Sequence, residues 1–105
     1  MILRDERSGA DRRSLWAYLD DEGNLHIDGQ DLGPSTAPAS GDGEYEWFRT
    51  IRAEHLQRLV ITLHGLVGDD PLDLLEARWS GARSYELERL LREGEIPTEF
   101  FSWSG

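Results

Sequence analysis

The chain contains no cysteine and no lysine, and no part of it approaches the roughly 20 consecutive apolar residues that a bilayer-spanning helix needs. Each absence closes a class of chemistry. Without cysteine there is no disulfide framework, no thiolate nucleophile and no cysteine-based zinc site. Without lysine there is no Schiff-base amine and no phosphate-loop lysine, so every one of the 11 basic residues is arginine. Residues 1–13 lack the apolar centre of a secretory signal, which makes a cytoplasmic protein the expectation. Positive charge is itself scarce. Against those 11 arginines stand 21 Asp and Glu, a net charge of −10 on 105 residues. Affinity for a nucleic-acid backbone comes from Lys and Arg on phosphates, so this balance argues against such a partner. A length of 105 residues is enough for one domain with a hydrophobic core.

What is present organises as follows. Residues 1–13 are polar apart from the first few, with Arg4, Arg7, Arg12 and Arg13 interleaved with Asp5, Glu6 and Asp11, and read as a mobile arm. A single domain over 14–105 follows. Leu15, Ala17 and Leu19 alternate with Trp16 and Tyr18, and Leu25 and Ile27 alternate with His26 and Asp28. With Asp20-Asp21-Glu22-Gly23-Asn24 between them, the two runs make a β-hairpin. Residues 34–43 carry no large apolar side chain and read as a flexible loop. Residues 44–52 return to alternation, with Tyr45, Trp47 and Ile51 on one side and Phe48 on the other.

From Ala53 the period becomes helical, with Leu56, Leu59, Val60 and Leu63 ahead of Gly65; the β-branched Val60-Ile61-Thr62 leaves a strand over 59–64 as the alternative. Asp70-Pro71 is an N-cap followed by a first-turn proline, opening a second helix that buries Leu72, Leu75 and Trp79. A third helix from Ser84 buries Leu87, Leu90 and Leu91 and carries Glu88 and Arg92 on its outer face as an i,i+4 pair. The aromatic tail from Ile96 to Trp103 reads as an edge strand, because Pro97 cannot donate to a ladder, with Trp103 in the core. The order β-β-β-α-α-α-β predicts an α+β fold: an antiparallel four-stranded sheet with about three helices packed on one face.

Few residues carry recognisable chemistry. His55 and His64 would lie about 900° apart on one helix, on opposite faces, so they share no metal. Asp20-x-Glu22-x-Asn24 with Asp31 at the twelfth position resembles a calcium loop, but Leu25 stands where the sharp turn needs glycine and the bidentate glutamate is missing. No nucleophile elbow or nucleotide-binding glycine motif occurs. The expectation is therefore no catalytic residue, no metal and no cofactor.

Charge is the unusual feature. Between Ser14 and Phe48 there is no arginine, yet there are eight carboxylates: Asp20, Asp21, Glu22, Asp28, Asp31, Asp42, Glu44 and Glu46. The hairpin tip and the long loop are thus expected to form a field of one sign that attracts a basic partner. Trp16 and Tyr18 share the strand face opposite Leu15 and Leu19 and would serve as anchors. The expected partner-binding set is Asp20, Asp21, Glu22, Asp28, Asp31, Trp16 and Tyr18.

The stretch from Leu15 through Gly33, closing on Gly29-Gln30-Asp31-Leu32-Gly33 and followed by Glu44-Tyr45-Glu46-Trp47, resembles a family of small, acidic, uncharacterised bacterial proteins common in actinobacteria. That resemblance implies no activity or catalytic residue; it suggests that Gln30 and Asp31 order the following loop through backbone bonds. Size and composition also resemble immunity proteins of bacterial toxin systems. The reading is a cytoplasmic, non-enzymatic domain that binds a protein with a basic surface, most concretely an immunity-type inhibitor of a basic toxin. The alternative is a small enzyme or ligand-binding pocket protein of a biosynthetic operon, using His26 and Asp28. Homodimerisation through an uncovered strand face is a third expectation.

Overall fold

Five strands and three helices make up the computed structural model, which describes residues 1–36 and 43–104. The strands are β1 (Ile2–Ser8), β2 (Asp11–Leu19), β3 (Leu25–Leu32), β4 (Glu44–Ile51) and β5 (Glu99–Ser104). Between β4 and β5 come α1 (Leu56–Thr62), α2 (Pro71–Arg78) and α3 (Arg83–Glu93). Every strand pairs antiparallel with its neighbour in chain order, β1-β2-β3-β4-β5. The fold is α+β as expected, but the sheet has five strands rather than four.

The extra strand is the segment read as a mobile arm. Residues 1–13 form β1 and the start of β2, joined by a tight turn in which Gly9 adopts φ 61°. An edge strand needs only one or two buried side chains, and β1 supplies them through a register shift between Ile2 and Arg4 that turns Leu3 and Arg4 into the core. Apart from Arg4, the alternating charges stay exposed along this edge hairpin, where Arg12 pairs across the strands with Asp5 at 3.3 Å.

The core lies on one face of the sheet. Leu15, Ala17, Leu25, Ile27, Trp47 and Ile51 meet Leu59, Leu63, Leu75, Trp79, Leu87 and Leu91 from the helices. Trp47 fits because Gly29 lies opposite it across β3 and β4: a Cβ at position 29 would come within 2.2 Å of the indole. Gly33 ends the same strand at φ 117°, against Asp11. Asp70 caps α2 as its sequence predicts, accepting from the amides of Leu72 and Asp73 ahead of Pro71. Residues 59–62 are helical, and α1 stops before Gly65, with His64 itself at φ 67°. Trp79 is buried as expected, whereas Trp103 is exposed on β5, an edge strand with every residue exposed. Of the loop expected over 34–43, residues 34–36 form a short 3-10 turn and 37–42 lie outside the described residues.

The sequence places Glu88 on the outer face of α3, paired with Arg92. It is buried instead. Its carboxylate takes Arg4 at 2.8 Å, Arg49 at 2.5 Å and the Trp47 indole N–H at 2.7 Å, which ties α3 to both β1 and β4. Arg4 also donates to Ser84 and stacks over the Tyr85 ring at 3.6 Å. The helical period is right, but the buried stripe on α3 is wide enough to include a charged residue, because two guanidinium groups from the sheet meet it.

Candidate functional site: the open face of the sheet

With the helices on one side, the even-numbered residues of β2, β3 and β4 project from the other, which no described element covers. Strand register sets one row straight across that face: Ile2, Trp16, Asp28, Phe48, Phe101. On one side of it runs Tyr18, His26, Thr50 and Glu99; on the other runs Ser14, Gln30, Glu46 and Trp103. The apolar members are accessible. Ile2 and Phe101 are each 62% exposed, Trp103 47% and Tyr18 43%, while Trp16 and Phe48 are half-buried. Phe48 and Phe101 pack ring to ring at 5.9 Å.

Asp28 is the one polar member of the central row, and it is only 6% exposed. Its Oδ1 has no hydrogen-bond partner. Burial raises its pKa above the ordinary carboxylate value, opposed by the charge of His26 and the Tyr18 hydroxyl. The same surroundings raise the Tyr18 phenol, first through burial and then through Asp28.

His26 lies on the same face but is hydrogen-bonded to other partners. Its Nε2 lies 2.7 Å from Asp20 Oδ2 and its Nδ1 3.2 Å from Thr50 Oγ1, with the ring stacked on Tyr18 at 4.7 Å and 10°. Asp20 therefore closes the hairpin as well as holding the imidazole. It accepts from the amides of Glu22 and Asn24 at 2.9 and 3.0 Å, and its pKa falls to about 2, chiefly through the His26 hydrogen bond. Asn24 passes the constraint on by accepting from the Ala53 amide. The best-formed clefts among the described residues lie away from His26, Asp28 and Thr50. One, of about 300 Å³ on the helix side, is lined by residues including Arg4, Asp31, Trp47, Tyr85 and Glu88. Among the described residues, no three His, Asp or Glu side chains are arranged to hold a metal ion.

The residues singled out in the sequence are thus divided. Trp16, Tyr18 and Asp28 come together on the open face, with Asp20 at its edge. Asp21 and Glu22 sit exposed at the hairpin tip. Asp31 is one position out of phase with Gln30 and lies on the helix side, near Arg13, Arg4 and Glu88, with its own Oδ1 unpartnered. The hairpin tip and the described ends of the long loop, residues 34–36 and 43, were expected to make one acidic region but flank opposite ends of β3, whose eight residues span roughly 24 Å. At the far end Gln30 bridges the carboxylates of Glu44 and Glu46 at 3.3 and 3.0 Å, a side-chain link; the expected backbone bond to the loop is not seen among the described residues. The following turn is ordered by Asp11, which accepts from the Ser35 amide. Phe101 and Trp103 were missed as members of the face; their shared parity on β5, opposite Phe48 and Glu46, is the signal that finds them once the register is known.

Compared with protein-family models, curated proteins and solved structures, the chain matches none.

Proposed function

We propose that this is a protein-binding module whose open sheet face docks a partner with a basic surface. The observation that supports it best is the row Ile2, Trp16, Phe48 and Phe101, continued by Tyr18 and Trp103: six apolar side chains from four strands around Asp28, four of them exposed and two half-buried. Contiguous apolar surface of this kind, rimmed by charge, is typical of interaction sites, and Trp and Tyr dominate their energetics. The rim carries Asp20, Asp21 and Glu22 at one end and Glu44 and Glu46 at the other, where Arg7 and Arg12 stand in register with Glu44 on the same face. A chain of net charge −10 favours a basic partner kinetically as well as energetically. An immunity-type inhibitor of a basic toxin is the most concrete form of this function.

Affinity capture from a lysate of the source organism, at low and high salt, tests it. The wild-type chain should retain a basic protein that high salt releases and that a Phe101→Ser/Trp103→Ser variant does not bind. No partner, a partner indifferent to salt, or one retained by the variant would overturn the reading.

A second reading, a small enzyme or ligand-binding protein using His26, draws support from the chain Asp20–His26–Thr50, in which a hydroxyl, an imidazole and a carboxylate are hydrogen-bonded in series.

A further inference from the structure

We propose that Asp28, framed by Trp16 and Phe48, is the socket for an arginine side chain of that basic partner; this rests on the open face being the docking surface. Three observations carry it. A carboxylate stands at the centre of an otherwise apolar row, nine-tenths buried, with one oxygen lacking any hydrogen-bond partner. Such an oxygen costs stability in the free protein unless something pairs with it. No ion pair among the described residues involves Asp28, so the chain's own arginines do not fill this role.

The flanking residues then select the cation. Trp16 and Phe48 are the direct cross-strand neighbours of Asp28, one on each side, with Cβ atoms about 5 Å away. A planar guanidinium stacks on aromatic faces while presenting two N–H groups to one carboxylate, which a compact ammonium cannot do. Aromatic side chains that are only half-buried can part to admit it. A second copy of this chain is the poorer occupant. Two chains of net charge −10 would bring Asp20, Glu46 and their surroundings against themselves.

The test uses three blocked tripeptides, acetyl-Gly-Xaa-Gly-amide with arginine, lysine or the uncharged isostere citrulline, titrated into the intact protein while the Trp16 indole N–H resonance is followed. The arginine peptide should move that resonance saturably. Citrulline in the peptide, or Asp28→Asn in the protein, should each weaken binding by about tenfold or more, and lysine should bind more weakly than arginine. Thermal melts of Asp28→Asn provide the folding control, expected no lower than wild type because the buried carboxylate is already disfavoured. Equal binding by Asp28→Asn, or no response at Trp16, would overturn the socket. If salt and the Phe101→Ser/Trp103→Ser variant still release the captured partner, the docking face stands without the socket; if they do not, both fall. A dimer in light scattering that Asp28→Asn dissociates would make the occupant another copy and overturn the basic partner.

Discussion

Asp20 illustrates how a residue with the composition of a binding site can be occupied by structure. Its two oxygens take the Glu22 and Asn24 amides, the Asn24 side chain and the His26 ring, all within the hairpin. These bonds favour the carboxylate, so its folded-state pKa, about 2, lies below the ordinary 3.8. A depressed carboxylate contributes stability that is complete above the unfolded value and is lost as pH falls through the folded one. Wild type should therefore melt above Asp20→Asn at pH 5, and the gap should close between about pH 4 and pH 2, measured by thermal denaturation across that range. Counting acidic residues could not separate this role from partner binding, because the bonds that occupy Asp20 exist only once the turn has closed. Asp28 is the converse. Its alternation with Ile27 put it correctly on the outward face, but nothing local showed that it would be buried there, with Trp16 and Phe48 as its cross-strand neighbours.

At the scale of elements, what could be read in advance was what local chemistry determines. The β2–β3 hairpin follows from two alternating runs around a Gly-containing turn, and α2 follows from Asp70-Pro71. That cap makes a direct prediction: Asp70→Ala removes the acceptor for two helix amides and should cost about 1 kcal/mol, read from urea unfolding. What could not be read depends on partners distant in sequence. β1 is polar, and it is a strand only because β2 offers a paired edge and α3 offers Glu88 to Arg4. Trp103 looks like a core residue until the β4–β5 register places it beside Glu46 on the open side. The end of α1 shows the limit of glycine as a stop signal, since His64 takes the positive φ one residue before Gly65.

For the molecule as a whole, the two faces of the sheet differ in how they hold buried charge. On the helix side Arg4, Arg49 and Trp47 converge on Glu88, although Asp31 Oδ1 is left without a partner there; on the open side no arginine among the described residues pairs with Asp28, whose Oδ1 is likewise unpartnered. Glu88→Gln removes the charge that two buried guanidinium groups share and should destabilise the fold by about 3–5 kcal/mol. How that loss divides between rates follows from chain connectivity. Glu88 lies 84 residues from Arg4 and 39 from Arg49, so both contacts close very long loops, whereas four of the five strands pair with their neighbours before any helix is needed. Contacts of that reach form late, on the native side of the folding barrier. In stopped-flow chevrons the Glu88→Gln chain should refold at nearly the wild-type rate and unfold far faster, so the buried carboxylate acts as a latch that sets how long the native state survives.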